Sequence, residues 1–330
     1  MKTAFYDAKS YDKKWFSRLA PVYGEELDYL EPRLTPQTAV LARGARAVCA
    51  FVSDDIGAET VAALREAGGR HIALRSSGYN NVDLAAAARS GIAVTRVPAY
   101  SPSSVAGHAM ALLLSLCRQT HRAYTRTRER NFSLEGLVGM DLKGRTIGLL
   151  GTGRVGAEMA AMAMGFGMRV IACDPAPQWG MDIEYVTWAE LVRRADILSL
   201  HCPLTPETYH IVSRAAMHAM KPGVYIINTS RGALIDSEAL LDMIKKGHVG
   251  ATGLDVYEEE ADVFYEDVSN KVMRDDTLNL LLSQPNVLVT SHQAFLTDEA
   301  LRAIAETTLR SIASGGKENA VPLPEEAVHA

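Results

Sequence analysis

The hexapeptide Gly151-Thr-Gly153-Arg154-Val155-Gly156 constrains this chain more than any other stretch. A bare GxGxxG pattern recurs by chance, because glycine is common, so its flanks decide its meaning. The apolar run Thr-Ile-Gly-Leu-Leu at 146–150 leads straight into it, and Ala-Glu-Met-Ala-Ala-Met leaves it with helical texture. An acidic residue, Asp174, closes the next β-like run 18 residues after Gly156. Strand, tight glycine turn, helix start and carboxylate come in the order that a dinucleotide requires. Glycines let the backbone approach the pyrophosphate, free N–H groups of the helix start receive it, and the carboxylate takes the ribose hydroxyls. Asp174 would repel a 2′-phosphate, and neither Cys173 nor Pro175 beside it offers a compensating cation. NAD is therefore expected rather than NADP.

The fingerprint lies near mid-chain, so another set of βα units precedes it, and 330 residues suit two domains. Strands are expected at 2–6, 45–52, 71–75 and 92–97. Ala-rich helices are expected at 58–67 and 83–89, ending near Gly68 and Gly91. Pro98 and Pro102 bracket a turn, after which 103–118 reads as an almost wholly apolar, buried helix. The arginines that follow (118, 122, 126, 128 and 130) read as a solvated helix end or a subunit contact rather than a phosphate patch. A second series of strands is expected at 146–150, 169–173, 197–200, 224–228, 250–255 and 287–290. Strands alternating with helices imply parallel βαβ units. The tail from Ser314, polar and proline-containing, is expected to be loosely ordered.

Bulk properties narrow the function. A formal net charge of -5 provides no global field for nucleic acid or an anionic membrane. The longest apolar run, 109–117, is about half of what a membrane span needs. The N-terminus lacks an apolar core of signal-peptide length. Cys49, Cys117, Cys173 and Cys202 are far apart in apolar stretches, with no paired-ligand spacing, so no metal is expected and each reads as a small buried hydrophobe. These features suit a cytoplasmic protein.

Three candidate functional groups stand at or just past expected strand ends, where parallel α/β sheets place their ligands. Arg231 follows 224–228, the acidic run Glu258-Glu259-Glu260 follows 250–255, and His292 follows 287–290. Reducing a 2-keto acid needs a planar cation for its carboxylate and an acid to protonate its carbonyl oxygen. It also needs a partner that keeps this acid protonated near neutral pH. Arginine, histidine and glutamate meet those needs. Composition alone leaves open which glutamate serves.

These motifs resemble the D-isomer-specific 2-hydroxyacid dehydrogenases. The resemblance runs through GTGRVG, HCPLTPET (201–208), NTSRGALID (228–236), LDVYE (254–258) and SHQAF (291–295). It is greatest to the fermentative lactate branch, through ALRSSGYNNVDL (73–84), VPAYSP (97–102), RAYTRTRERNFSLEGL (122–137) and the segment after Glu260. It implies two doubly wound parallel-sheet α/β domains: a Rossmann cofactor domain at 101–298 inserted in a flavodoxin-like substrate domain at 1–100 and 299–330. It implies that Arg231 binds the substrate carboxylate, that His292 is the general acid/base, and that Glu260, by family spacing, is its partner. Asp255 would lie near the nicotinamide. The glycines Gly151, Gly153 and Gly156 with Arg154, Val155, Asp174, Cys202, Pro203, Thr208, Thr229 and Ser230 would hold NAD. Backbone N–H groups of Ser77 and Gly78 would complete the carboxylate site, with Phe51, Tyr100 and Phe295 closing around a small side chain. The implied reaction is reversible, NADH-dependent reduction of pyruvate to D-lactate by a homodimer or homotetramer. A dehydrogenase of a larger acid such as 2-hydroxyisocaproate is the alternative, and an NAD(H)-sensing corepressor-like binding protein a more distant one. One departure is Gly107, where many relatives carry glutamate.

Overall fold

The structure, a computed structural model, describes residues 2–178, 180–260 and 263–324. The chain divides into two compact units, Met1–Ser101 with Leu296–Ala330, and Pro102–Phe295.

The first unit carries β1 (Lys2–Phe5), β2 (Glu26–Tyr29), β3 (Ala47–Ala50), β4 (His71–Leu74) and β5 (Ala93–Thr95), with α1 (Ser10–Leu19), α2 (Ala58–Glu66) and α3 (Leu84–Arg89). Its five strands run parallel in the order β2-β1-β3-β4-β5, the flavodoxin-like order. Helices cover both faces, so the central strands are apolar throughout rather than alternating: every residue of Ala-Val-Cys-Ala and His-Ile-Ala-Leu is buried. Gly68, at φ +99, supplies the left-handed turn that ends α2 and returns the chain to β4. Neither α1 nor β2 was expected. Glu-Leu-Asp-Tyr forms an edge strand exposed or half-exposed along its length, so no apolar pattern announces it.

In the second unit α4 (Pro102–Arg118) and α5 (Thr120–Arg128) precede β6 (Thr146–Leu150) and α6 (Arg154–Gly165). Then come β7 (Arg169–Cys173), β8 (Glu184–Tyr185), α7 (Trp188–Arg194), β9 (Ile197–Leu200), α8 (Arg214–Ala219) and β10 (Val224–Asn228). They are followed by α9 (Ser237–Lys245), β11 (Val249–Leu254), α10 (Asp276–Ser283) and β12 (Val287–Val289). The seven strands are parallel in the order β12-β11-β10-β9-β6-β7-β8. This is the Rossmann order extended by one strand, and it reverses direction at β6. One side of α4 buries Ala106, Ala109, Met110, Leu113 and Leu116 in a core shared with Ile147, Leu149 and Met159. On α5 nothing is buried, and Arg122 and Arg126 donate to carbonyls of the following loop. Among the described residues no helix is long and apolar enough to cross a membrane.

The last helix, α11 (Asp298–Ala313), belongs to the first unit, where Ile312 packs on Ala47 and Ala73. The segment after it corrects the expectation of a loose tail. Arg96 N–H donates to the Asn319 carbonyl at 3.1 Å and Val321 N–H to the Val94 carbonyl at 2.8 Å. Thr95 and Ala320 thus form an antiparallel bridge, and Val321 is buried. Polar composition concealed one apolar anchor and the free edge of β5 that it joins. The end of that tail, 325–330, lies outside the described residues.

Candidate active site

Strand β6 delivers the glycine turn at the point where the sheet order reverses. Gly151 has φ +93, and a β-carbon there would lie 2.8 Å from the His201 carbonyl group. At Gly156 a β-carbon would lie 2.2 Å from the Gly151 oxygen. Both positions therefore demand glycine so that α6 can start against the end of β9. Gly153 differs: it precedes α6, no side chain caps that helix, and nothing stands within 4 Å of where its β-carbon would be. An open approach to uncapped first-turn N–H groups, those of Arg154 and Val155 among them, is what a pyrophosphate needs.

At the end of β7 the Asp174 carboxylate is held in place. One oxygen accepts from Thr152 N–H at 2.6 Å and from its hydroxyl at 3.1 Å, and the other accepts from Ala176 N–H at 2.7 Å. Tyr185 donates its hydroxyl to Thr152 from behind. The next two strand ends supply the remaining cofactor candidates. Ser230 donates its hydroxyl to the Cys202 carbonyl at 2.6 Å, tying the β10 end to the β9 end, and Thr208 donates to the Pro203 carbonyl at 2.8 Å. Burial pushes the Cys202 thiol up to about 12, so it is a neutral wall rather than a nucleophile. Thr229 Oγ1 is buried with no hydrogen-bond partner among the described residues. That orphaned polar atom, the fixed carboxylate and the open glycine turn together fit NAD.

The candidate catalytic residues lie at the ends of β10, β11 and β12, which are consecutive in the sheet. Arg231 follows β10, donating Nη1 to the Ser230 carbonyl, while Asn228 Nδ2 holds the Arg231 carbonyl at 2.8 Å. Beside it, Gly232 has no room for a side chain: a β-carbon would lie 2.0 Å from the Tyr257 carbonyl carbon. The chain leaving β11 can thus run directly past the arginine. Glu260 lies on that stretch. One of its oxygens accepts from Tyr257 N–H at 2.9 Å, and the other pairs with His292 Nδ1 at 2.6 Å. Glu258 turns elsewhere, to His210 Nε2 at 2.6 Å.

Asp255, read from the resemblance as a neighbour of the nicotinamide, is fully buried at the end of β11. Its carboxylate accepts from the Thr290 hydroxyl at 2.6 Å and from the N–H groups of Gln293 and Ala294 at 2.9 and 2.8 Å. Its carbonyl takes the His292 N–H at 2.7 Å. Burial opposes ionisation of Asp255, and hydrogen bonds, among them one from His108, outweigh it and hold the carboxyl below the usual carboxylate range. Sequence reasoning missed His108 as a member of this group. The available signal was that His108 is the sole imidazole or formal charge between Pro102 and Cys117.

The candidates of the first unit lie after β3, β4 and β5. Phe51 follows β3, with its N–H on Asp54 at 2.6 Å and its ring 4.7 Å from the buried Arg75 guanidinium. Ser77 and Gly78 lie in the bend after β4, fixed by Arg96 Nη1 on the Ser77 carbonyl and Ser76 Oγ on the Gly78 carbonyl. Tyr100 is half-buried after β5, and Phe295, buried, ends the second unit.

Comparison with known proteins names the chemistry. The NAD-binding domain model of the D-isomer specific 2-hydroxyacid dehydrogenases matches residues 110–294. The chain is 48% identical to D-lactate dehydrogenase of Escherichia coli (strain K12) over 325 residues, 98% of this chain and 99% of that one. Among solved structures it matches the pyruvate reductase of Chlamydomonas reinhardtii with a TM-score of 0.91, 41% identity and 98% of each chain covered. It also matches a D-lactate dehydrogenase from Aquifex aeolicus complexed with NAD and lactic acid, with a TM-score of 0.86, 29% identity, and 98% and 100% coverage. The chain belongs to the D-isomer specific 2-hydroxyacid dehydrogenases and is an NAD-dependent oxidoreductase of D-2-hydroxy acids.

Proposed function

We propose that the enzyme reduces pyruvate to D-lactate, with His292 as proton donor. The observation that carries the mechanism is the His292–Glu260 pair: Nδ1 is engaged by the carboxylate at 2.6 Å, while Nε2 has no partner among the described residues. An imidazole held at one nitrogen and open at the other can give up and recover a proton without reorienting. Arg231 would grip the substrate carboxylate. Bound NADH supplies the hydride that adds to the keto carbon. The carbonyl electron pair moves onto oxygen, which takes the proton from His292 Nε2. In the reverse direction the same nitrogen removes the hydroxyl proton.

Pyruvate as the preferred substrate is supported by the lactate dehydrogenase and pyruvate reductase relatives. A panel of 2-keto acids with NADH, followed by chiral analysis of the product, tests this. The expected result is the highest kcat/KM on pyruvate and a D-configured product. A higher value on 2-ketoisocaproate would transfer the enzyme to larger acids. If no keto acid causes loss of NADH absorbance, a binding protein remains. Self-association is proposed through the stretch after α5, where Phe132, Leu134 and Val138 are 73%, 81% and 87% exposed. Sedimentation of the purified chain as a monomer would refute it.

A further inference from the structure

We infer that His108 is a positioning residue for the acid/base, acting through Thr290 and Asp255; this rests on the assignment of His292 as proton donor. His108 projects from the first half of α4. Its Nε2 lies 2.9 Å from Thr290 Oγ1 and 3.3 Å from Asp255 Oδ1. The proton count fixes the direction of these contacts. The single Thr290 hydroxyl proton is directed at Asp255 Oδ1 at 2.6 Å, so His108 Nε2 carries the hydrogen and donates it. Asp255 is an acceptor only, and it receives this donor together with the hydroxyl and two backbone N–H groups.

Those contacts surround one loop. Three consecutive N–H groups, of residues 292, 293 and 294, end on Asp255: the first on its carbonyl, the other two on its carboxylate. His292 itself sits at φ +49, a left-handed backbone that a non-glycine residue adopts at some cost. Such a conformation persists when surrounding bonds over-determine it. His108 donates from the opposite side and fixes both the threonine hydroxyl and the carboxylate on which the loop hangs. Without that donor, Thr290 and Asp255 could rotate together and relax the loop, and His292 would swing with it. Proton delivery is sensitive to such movement, because a misplacement of about 1 Å can cost about 100-fold in rate.

Four variants measured beside wild type test the inference: His108→Ala, His108→Gln, Thr290→Val and His292→Gln. Glutamine keeps an N–H donor near the position of Nε2. His108→Ala and Thr290→Val should lower kcat about 10- to 100-fold. NADH dissociation constants should be unchanged, and the solvent deuterium isotope effect on kcat should be larger, because proton transfer has become the slow step. His108→Gln should regain most of the lost rate. Wild-type kcat in His108→Ala overturns the inference. So does a His108→Gln enzyme as slow as His108→Ala, which would mean that the ring serves by its volume. If His108→Ala does not fold, the contrast of Thr290→Val with Thr290→Ser decides. Should His292→Gln retain activity, the acid/base assignment fails instead, and the two failures are distinguishable.

Discussion

Two histidines of the second unit look alike by local geometry. His292 meets Glu260 at 2.6 Å and His210 meets Glu258 at 2.6 Å; both sit at φ +49, and both are partly buried. Their surroundings separate them. His292 stands on a loop after β12 that is bound through three successive N–H groups to a buried aspartate. His210 stacks on Tyr209 at 4.0 Å and is tethered by one backbone bond to Ala233, while its Nε2, the nitrogen that is open on His292, is taken by the carboxylate. An imidazole–carboxylate pair therefore does not by itself single out the proposed proton donor. What matters is which nitrogen remains open and how rigidly the backbone beneath it is held.

The largest predicted effect is that of His292→Gln, which should lower kcat by about 1000-fold or more while NADH binding persists. A loss no greater than that from His210→Gln would erase the distinction. Glu260→Gln keeps the shape of the partner but not its charge, and should cost about 10- to 100-fold in kcat with little change in NADH affinity. Equal loss in Glu258→Gln would show the two pairs to be equivalent. Asp174→Ala should weaken NADH by about tenfold and bring NADPH closer to it, because fixed acceptors for the ribose hydroxyls disappear; unchanged preference in competition assays would remove Asp174 from that role. His210→Gln should change kcat by no more than about threefold, in line with the small contribution of partly exposed pairs. The smallest effect expected is in α4. At Gly107 a β-carbon meets nothing within 4 Å, so Gly107→Ala should raise stability by about 0.5–1 kcal/mol in denaturant titrations. A loss of stability there would mean that α4 needs its glycine.

What could be read from sequence follows the range of the physics involved. The glycine turn was legible because its demands are local: two positions exclude a β-carbon and one must stay open, all within six residues. The ends of β10 and β12 were legible because the apolar runs Val-Tyr-Ile-Ile and Val-Leu-Val before them are continuous. The choice among Glu258, Glu259 and Glu260 was not, since three carboxylates in a row look the same until a turn aims one of them. Here the Tyr257 N–H clasps Glu260 and directs it at His292. The link from His108 to Thr290 spans 182 residues, and no local pattern encodes it. Edge elements also escaped: β2 is half solvated, and β8 is two residues long. Neither has the apolar face from which a strand is recognised.

The antiparallel bridge at Ala320 and the seating of α11 bear on how the protein is made. The sheet of the first unit is synthesised before the second unit, yet Ile304, Leu309 and Ile312, which complete its cover, come after that unit. Each contributes about 2 kcal/mol of apolar burial. The second unit is one continuous stretch and can close as soon as its last strand is synthesised. The first unit must wait, its sheet incompletely covered and the edge of β5 unpaired, until α11 and the residues that bridge to β5 have been synthesised. A truncation before Asp298 should therefore leave the dinucleotide-binding unit folded and the residues before it as a substrate for chaperones and proteases.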